Sequence, residues 1–178
     1  MATAKYVNRD GELWLSLGPA NGKEGWVRAD LVTPTAPLAN VPVWCPFAGS
    51  TNQETLVNLI NAEGDAMKEK SIGSIFLAFA RSAEILDGAT KEKWDDAIAR
   101  YLQRFPNEKH NRIEHYGYRF NISDQQATVT DQSRGEFVWL PTGDVFSYDD
   151  PSSFDNWTFV KDRNGCWVIS QFKFRVHQ

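Results

Sequence analysis

The segment that most restricts the fold is a pair of aromatic-rich runs joined by Asn-Gly, "FDNWTFVKDRNGCWVISQFKF", residues 154–174. Asn-Gly between alternating apolar residues is a strong signal for a two-residue hairpin turn, because both central positions of that turn need positive φ. Such a turn pairs Phe159 with Ser170 and Trp157 with Phe172. It predicts one apolar face that another layer of the protein must cover. That face collects Trp157, Phe159, Val168, Ser170, Phe172 and Phe174.

Two further strands are predicted at about 111–122 and 126–140, so the hairpin belongs to a larger antiparallel sheet. In the first strand, alternation places His115 on the outer face and four residues on the apolar face: Tyr116, Tyr118, Phe120 and Ile122. In the second, Phe137 and Trp139 share a side. The acidic segment 141–156 is predicted to be a loop. It would cover a pocket, engage a basic partner, bind Ca²⁺ weakly or simply be solvated.

Helical patterns precede these strands. The segment "STNQETLVNLINAEGDAMKEK" begins with a Ser/Thr cap and continues as an amphipathic helix. "SIGSIFLAFA" predicts a second helix and "RSAEILDGA" a strand. "TKEKWDDAIARYLQRF" predicts a third helix, capped by Thr90 and ended by Pro106. Helices followed by a run of antiparallel strands indicate an α+β fold rather than alternating βαβ units.

The N-terminal part has a different composition. Residues 5–33 alternate apolar and polar positions around Gly and Asn-Gly turns, which predicts a short β-hairpin extension. Residues 34–50 contain four of the eight prolines, a composition typical of a semi-rigid linker. The expected organisation is a β segment at 1–33, a linker at 34–50 and the main domain at 51–178.

The net charge, the hydropathy and the cysteine content limit the partners, the location and the metal sites that are expected. The 178-residue chain has a net charge of −4, which argues against nucleic acid as the main partner. No apolar run is long enough to span a membrane, and the opening "MATAKYVNRDGELW" lacks a secretory signal, which favours a cytoplasmic location. Cys45 and Cys166 have no metal-ligand spacing, and the sequence leaves open whether they form a disulfide or are two small buried residues. No cofactor and no metal site is expected.

With these segments in order, residues 51–178 resemble the nuclear-transport-factor-2-like superfamily, which includes ketosteroid isomerases and small polyketide cyclases. The resemblance lies in the capped first helix, the "SIGSIFLAFARSAEILDGA" segment, the helix "KEKWDDAIARYL" and the closing pair "NWTFVKDRNGCWVISQFKF". It implies a cone-shaped, bent antiparallel sheet packed on three N-terminal helices, with a cavity at the wide end and dimerisation through the outer sheet face. Residues 8–33 separately resemble part of a bacterial Src-homology-3-like domain, which implies an association with the cell envelope.

The resemblance to the isomerases also implies a site. It places Asp87, in "EILDGAT", as a general base facing the cavity, whereas the residue-level alternative is an Asp-Gly turn before a helix. The first helix lacks the tyrosine that those enzymes use, so another tyrosine would have to polarise the substrate. Pairing of His115 with Asp87 is a hydratase-like variant. The residues expected to line the cavity are Tyr101, Tyr116, Tyr118, Trp139, Trp157 and Phe172.

Two classes of function fit these features. The first is a non-catalytic module that binds a small hydrophobic molecule or a protein partner. The alternative is an isomerase, cyclase or dehydratase that acts on a hydrophobic small molecule with Asp87 as base. A purely structural homodimer is a third reading, and it predicts a cone filled by the protein's own aromatic side chains.

Overall fold

The structure, a computed structural model, consists of two compact units. It describes residues 2–8, 10–20, 23–33, 37–87 and 90–177, without the side chains at 18–24, 87–90 and 175–178. The first unit is Met1–Pro46 with Arg163–Cys166, and the second is Phe47–Asp162 with Trp167–Gln178.

The first unit is built on a three-stranded antiparallel sheet in the order β1-β2-β3. The strands are β1 (Ala2–Val7), β2 (Leu13–Ala20) and β3 (Lys23–Arg28). Val43 of the predicted linker forms a parallel bridge with Lys5, so part of that proline-rich segment extends the sheet. The side chain of Asn164 closes the unit, because it accepts from the N–H of Val7 and donates to its carbonyl, both at 3.0 Å.

A disulfide joins Cys45 to Cys166 within the first unit, with 5.4 Å between the Cα atoms. This separation is in the usual range for a disulfide. The sequence left open whether these cysteines form a disulfide or are two small buried residues, and in the structure they form the disulfide. The bond closes a loop across 121 positions of the chain.

The second unit contains the three predicted helices. They are α1 (Asn52–Glu69), α2 (Ile72–Ala78) and α3 (Trp94–Arg104). The hydroxyl of Thr51 accepts from the N–H of Glu54 at 3.1 Å, which is the predicted N-cap. The predicted cap of α3 is wrong, because Thr90–Lys93 pairs with the preceding strand as β5 and the helix begins only at Trp94.

A mixed sheet packs on these helices, and the α+β prediction is confirmed. In addition to β5, its strands are β4 (Phe79–Asp87), β6 (Glu108–Ile122), β7 (Gln126–Trp139), β8 (Asp144–Asp149), β9 (Ser153–Lys161) and β10 (Trp167–His177). The order is β5-β4-β10-β9-β7-β6, and β8 pairs with β7. Strands β4 and β10 run parallel, which the antiparallel prediction did not include. The predicted acidic loop 141–156 contains β8, which lies against the second half of β7.

The closing hairpin is present, but its predicted register is wrong near the turn. Lys161 pairs with Trp167, so the connection is longer than two residues, although Gly165 does have a positive φ of 78°. A bulge between Ile169 and Gln171 then restores the predicted pairing of Trp157 with Phe172. As a result Trp167 and Ile169 are buried, whereas Val168 and Ser170, which were predicted to be inward, are only half-buried.

Two bulges also change the faces of β6. The first inserts Asn111 between the residues that pair with Phe137 and Glu136, and the second lies at Gly117, where φ is +70°. Between the bulges the odd-numbered residues face the helices. The predicted outer placement of His115 is therefore wrong, since only 5% of its side chain is exposed.

The core of the second unit lies between the sheet and the three helices. Trp157 and Phe172 stack in it with ring centroids 3.7 Å apart. Leu56, Leu59 and Ile60 cover this layer from α1 and are fully buried. No helix of the described residues is long and apolar enough to cross a membrane.

Candidate functional site

A pocket of about 520 Å³ lies in the second unit, bounded by α1, α3 and the strands β4, β6, β7, β8 and β10. Aromatic rings form much of its wall. Phe137 stacks on His110 at a centroid distance of 5.3 Å and on Phe146 at 5.1 Å, which gives a ladder of three rings. Phe172 and Phe174 line the pocket from β10 and meet edge to face.

The first polar group of the pocket is a buried network around His115. The Nδ1 atom of His115 lies 2.7 Å from Oδ2 of Asp131, and the indole N–H of Trp157 donates to Oδ1 of the same carboxylate at 2.8 Å. Asp131 is fully buried. Its two oxygens are held by fixed partners, and it in turn fixes the orientation of the imidazole. The other ring nitrogen, Nε2, is buried and has no hydrogen-bond partner among the described residues.

The surroundings of His115 favour its protonated form. Burial alone would lower the pKa of this imidazole, but the hydrogen bond and charge of Asp131, together with the charges of Asp155 and Glu63, outweigh burial and raise it. The nearest atoms of His115, Asp131 and Asp155 lie within 4.8 Å of one another, so these three are the described residues that could hold a metal ion. In the structure, Nδ1 of His115 is engaged by Asp131.

A tyrosine–glutamate pair forms the second polar group. The hydroxyl of Tyr101 on α3 donates to Oε1 of Glu63 on α1 at 2.7 Å, and both residues line the pocket. Burial raises the pKa of Tyr101 well above its ordinary value, and the charge and hydrogen bond of Glu63 raise it further. The phenol therefore stays neutral and acts as a donor.

The third polar group joins the end of α3 to the start of β6. Arg104 holds Glu108 through two nitrogens, at 2.8 and 2.9 Å, and Nε2 of His110 lies 2.8 Å from the same carboxylate. Burial would raise the pKa of Glu108, but the hydrogen bonds of His110 and Arg104 lower it to about 2. Because the ionised carboxylate only accepts, Nε2 of His110 carries a proton. The Nδ1 atom of His110 is buried without a hydrogen-bond partner among the described residues.

The sequence-predicted cavity residues do not all come together at this pocket. Tyr101 and Phe172 line it. Trp157 lies directly behind Phe172 and is 1% exposed. Trp139, at the end of β7, is half-buried and is not among the lining residues.

The two tyrosines of β6 lie elsewhere. Tyr116 faces away from the pocket, where its hydroxyl donates to Asp149 at 3.2 Å and Arg134 lies over its ring. Tyr118 is half-buried, and its hydroxyl donates to the carbonyl of His115 at 3.1 Å. The side chain of Asp87 lies outside the described part of the structure, so its predicted role as general base stays a prediction.

Sequence reasoning missed Glu63, Asp131 and the Arg104–Glu108–His110 group. A signal existed for the first two. Glu63 stands within the apolar stripe of α1, four residues from Leu59, and Asp131 continues the inward alternation of β7 that begins at Ala127. A charged residue in an inward position needs a partner, which marks it as a site candidate.

Comparison with solved structures gives the same fold for this chain. An NTF2-like protein from Cytophaga hutchinsonii aligns with a TM-score of 0.59 and 8% identity over 72% of this chain and 99% of its own. A ketosteroid isomerase-like protein from Erwinia carotovora atroseptica aligns with a TM-score of 0.56 and 17% identity, over 72% of this chain and 100% of its own. A protein of unknown function with a cystatin-like fold from Nostoc punctiforme aligns with a TM-score of 0.52 and 13% identity, over 70% of this chain and 91% of its own.

No protein-family model matches the sequence, and no curated protein does. At these identities the structural likeness speaks for architecture and not for activity. The resemblance drawn from the helices, the strand order and the closing hairpin is thus confirmed at the level of fold, and over the part that these structures cover the chain has the NTF2-like, cystatin-like fold.

Proposed function

We propose that the protein binds a small, largely apolar ring compound in the pocket of the second unit. The observation that carries this proposal is an aromatic-walled pocket of about 520 Å³ whose wall also contains the hydrogen-bonded pair of Tyr101 and Glu63. Ligand sites are typically concave and apolar, with a few polar groups that fix orientation.

Charge balance supports a neutral ligand. The acids that line the pocket are Glu63 and Glu108, and the arginines are Arg100 and Arg104. His115 also lines it, and Asp131 balances the charge of its protonated form. Arg104 pairs with Glu108, and Arg100 pairs with Glu92 at 2.7 Å. A charged ligand would have to compete with these internal pairs after losing its own hydration.

The direct test is a thermal-shift screen of the full chain against neutral aromatic and alicyclic compounds. A compound at 100 times its Kd stabilises the folded state by about 2.7 kcal/mol. For a chain of this size that corresponds to a rise in Tm of roughly 5 to 10 °C. Ser133 lines the pocket and is buried, so Ser133→Phe should fill the space and remove the shift. If that variant folds and still binds, the pocket is not the site.

An enzyme is the second candidate, and the geometry of His115 favours it. Its Nδ1 atom is held by Asp131, which Trp157 holds in turn, while Nε2 is buried and has no hydrogen-bond partner in the part of the chain that the structure describes. A base oriented by a third group is the arrangement expected for general acid–base catalysis. In its neutral form, His115 would then take the role of general base that the sequence assigned to Asp87, with Tyr101 as a neutral donor to a developing oxyanion. Because the pKa of His115 is raised, this activity would increase with pH as the imidazole loses its proton.

A proton-exchange assay separates these readings. The full chain is incubated with 2-tetralone in D₂O, and deuterium entry at the carbon next to the carbonyl is followed by NMR. Exchange that His115→Asn abolishes, and that Asp87→Asn leaves intact, assigns the base to His115. The opposite pattern assigns it to Asp87. If the compound binds but its deuterium exchange is no faster than in buffer, the enzyme hypothesis is excluded for this compound and only the binding function remains.

A further inference from the structure

The pair of Tyr101 and Glu63 has one proton between its polar groups, and that proton is used within the pair. The phenol donates it to Oε1 of the carboxylate at 2.7 Å. The tyrosine is 2% exposed and the glutamate 9%, and both line the pocket. What the pair leaves for a ligand is therefore lone pairs, on the phenol oxygen and on the carboxylate.

The second oxygen of Glu63, Oε2, is the stronger of these acceptors. Glu63 makes no other hydrogen bond among the described residues, and Oε2 is not one of their fully buried atoms that lack a hydrogen bond. Oε2 therefore keeps accessible surface, and that surface faces the pocket that Glu63 lines. A carboxylate oxygen forms stronger hydrogen bonds than a neutral acceptor does, and apolar surroundings strengthen them further.

The other polar groups of the wall discriminate less between ligands. Arg100 and Arg104 are each held by an acid, at 2.7 and 2.8 Å. Their side chains are 29% and 32% exposed, so water competes with a ligand for the N–H groups that remain. The hydroxyl of Ser133 both donates and accepts, and it serves either kind of ligand. Discrimination between a donor and an acceptor on the ligand therefore depends on Glu63.

We infer that Glu63 makes the pocket selective for ring compounds that carry an alcohol group over the corresponding ketones, with Oε2 as the acceptor of the alcohol proton. This inference rests on the proposed function and specifies its ligand class. An alcohol brings the donor that the pair of Tyr101 and Glu63 lacks. A ketone brings only an acceptor, so its oxygen would meet the lone pairs of the same two groups.

The probes are indane, 2-indanol and 2-indanone, which share one two-ring skeleton and differ at a single carbon. Each is titrated into the full chain by isothermal titration calorimetry. Because a hydrogen bond to a charged group is stronger than one between neutral groups, 2-indanol should bind roughly tenfold more tightly than 2-indanone, a difference of about 1.4 kcal/mol. Apolar burial alone would favour indane over both, since each oxygen must be desolvated.

Two matched variants test the assignment to Glu63. Glu63→Gln keeps an acceptor for the hydroxyl of Tyr101 and replaces the second carboxylate oxygen by an amide N–H₂ group. The advantage of 2-indanol over 2-indanone should therefore disappear or reverse, while the affinity for indane stays the same. Glu69→Gln is the control, because it makes the same chemical change on the same helix at an exposed position outside the pocket wall. It should change none of the three affinities.

The outcomes separate this inference from the proposed function. If 2-indanone binds the wild type as tightly as 2-indanol or more tightly, the inference is overturned while binding of ring compounds stands. If the alcohol is preferred and Glu63→Gln keeps that preference, the assignment to Glu63 is overturned. If none of the three compounds binds, this inference and the proposed function both fail for two-ring ligands. The order of the wild-type affinities needs no variant, so it tests the inference even if Glu63→Gln does not fold.

Discussion

Acidification should expose the contribution of Glu108 to stability. Only 8% of this side chain is exposed, and Arg104 and His110 hold its carboxylate at 2.8–2.9 Å. Its pKa is about 2 in the folded protein, against 4.5 for an ordinary glutamate. A carboxyl whose folded pKa is lowered contributes stability that is fully present above its unfolded pKa and is lost as the pH falls towards the folded one.

The magnitude follows from these two pKa values. Each tenfold change in proton affinity corresponds to 1.36 kcal/mol, so the full contribution is about 3 kcal/mol. Roughly 2 kcal/mol of it is lost by pH 3, because there the unfolded carboxyl is protonated and the folded one is still ionised. Glu108→Gln keeps the shape and one acceptor but cannot ionise. Its unfolding free energy should therefore fall by about 2 kcal/mol less than that of the wild type between pH 6 and pH 3.

The assay is urea denaturation followed by far-UV circular dichroism at both pH values. Glu114→Gln is the matched control. Hydrogen bonds from Arg112 and Arg134 lower the pKa of Glu114 to about 2 as well, but 46% of its side chain is exposed. Salt screens such a pair, so that variant should track the wild type closely at 0.5 M NaCl. Equal pH dependence in wild type and Glu108→Gln would refute the buried-pair reasoning.

Three further perturbations have defined outcomes. Thiol labelling of the denatured protein should find no free thiol until Cys45 and Cys166 are reduced. Reduction should lower the unfolding free energy by up to about 5 kcal/mol, because the disulfide closes a loop of 121 positions. Two free thiols in the untreated protein would contradict the disulfide. Trp157→Phe removes the donor to a buried carboxylate, so urea denaturation should show a loss of about 1–3 kcal/mol, and a neutral result would exclude that hydrogen bond as a stabilising contact. Gly135→Ala places a Cβ 2.7 Å from the backbone oxygen of Arg112 and should lower Tm by several degrees. Gly73→Ala is the control, because its Cβ meets nothing within 4 Å and should not lower Tm. Equal Tm values for the two variants would mean that the tight contact at Gly135 relaxes.

The elements of the second unit were largely predictable because their signals are local. The side chain of Thr51 can accept a hydrogen bond from the first turn of α1, which predicts the cap. The alternating aromatic residues of β9 and β10 predict that the two strands pair. The strand β8 was missed because its acidic residues, among them Asp144 and Asp149, resemble a solvated loop. Its pairing with β7 depends on a contact that the segment itself does not encode.

The registers were less predictable, because a bulge is decided by the partner strand and the packing above it. Gly117 carries a partial signal, since a glycine inside a strand often marks a bulge. Asn111 and Ser170 carry none, and at these positions the alternation changes without a local cue. His115 was assigned to the wrong face for this reason and not through a wrong choice of secondary structure.

These bulges matter for function because they decide which side chains reach the pocket. With an uninterrupted period of two, His110 and His115 would lie on opposite faces of β6, since five positions separate them. The extra residue at Asn111 restores both to the inner face, opposite Phe137 and Ser133. Deleting Asn111 should therefore turn His110 outward while His115 stays bound to Asp131. Such a variant would keep the fold of the sheet and remove the side chain of His110 from the pocket wall.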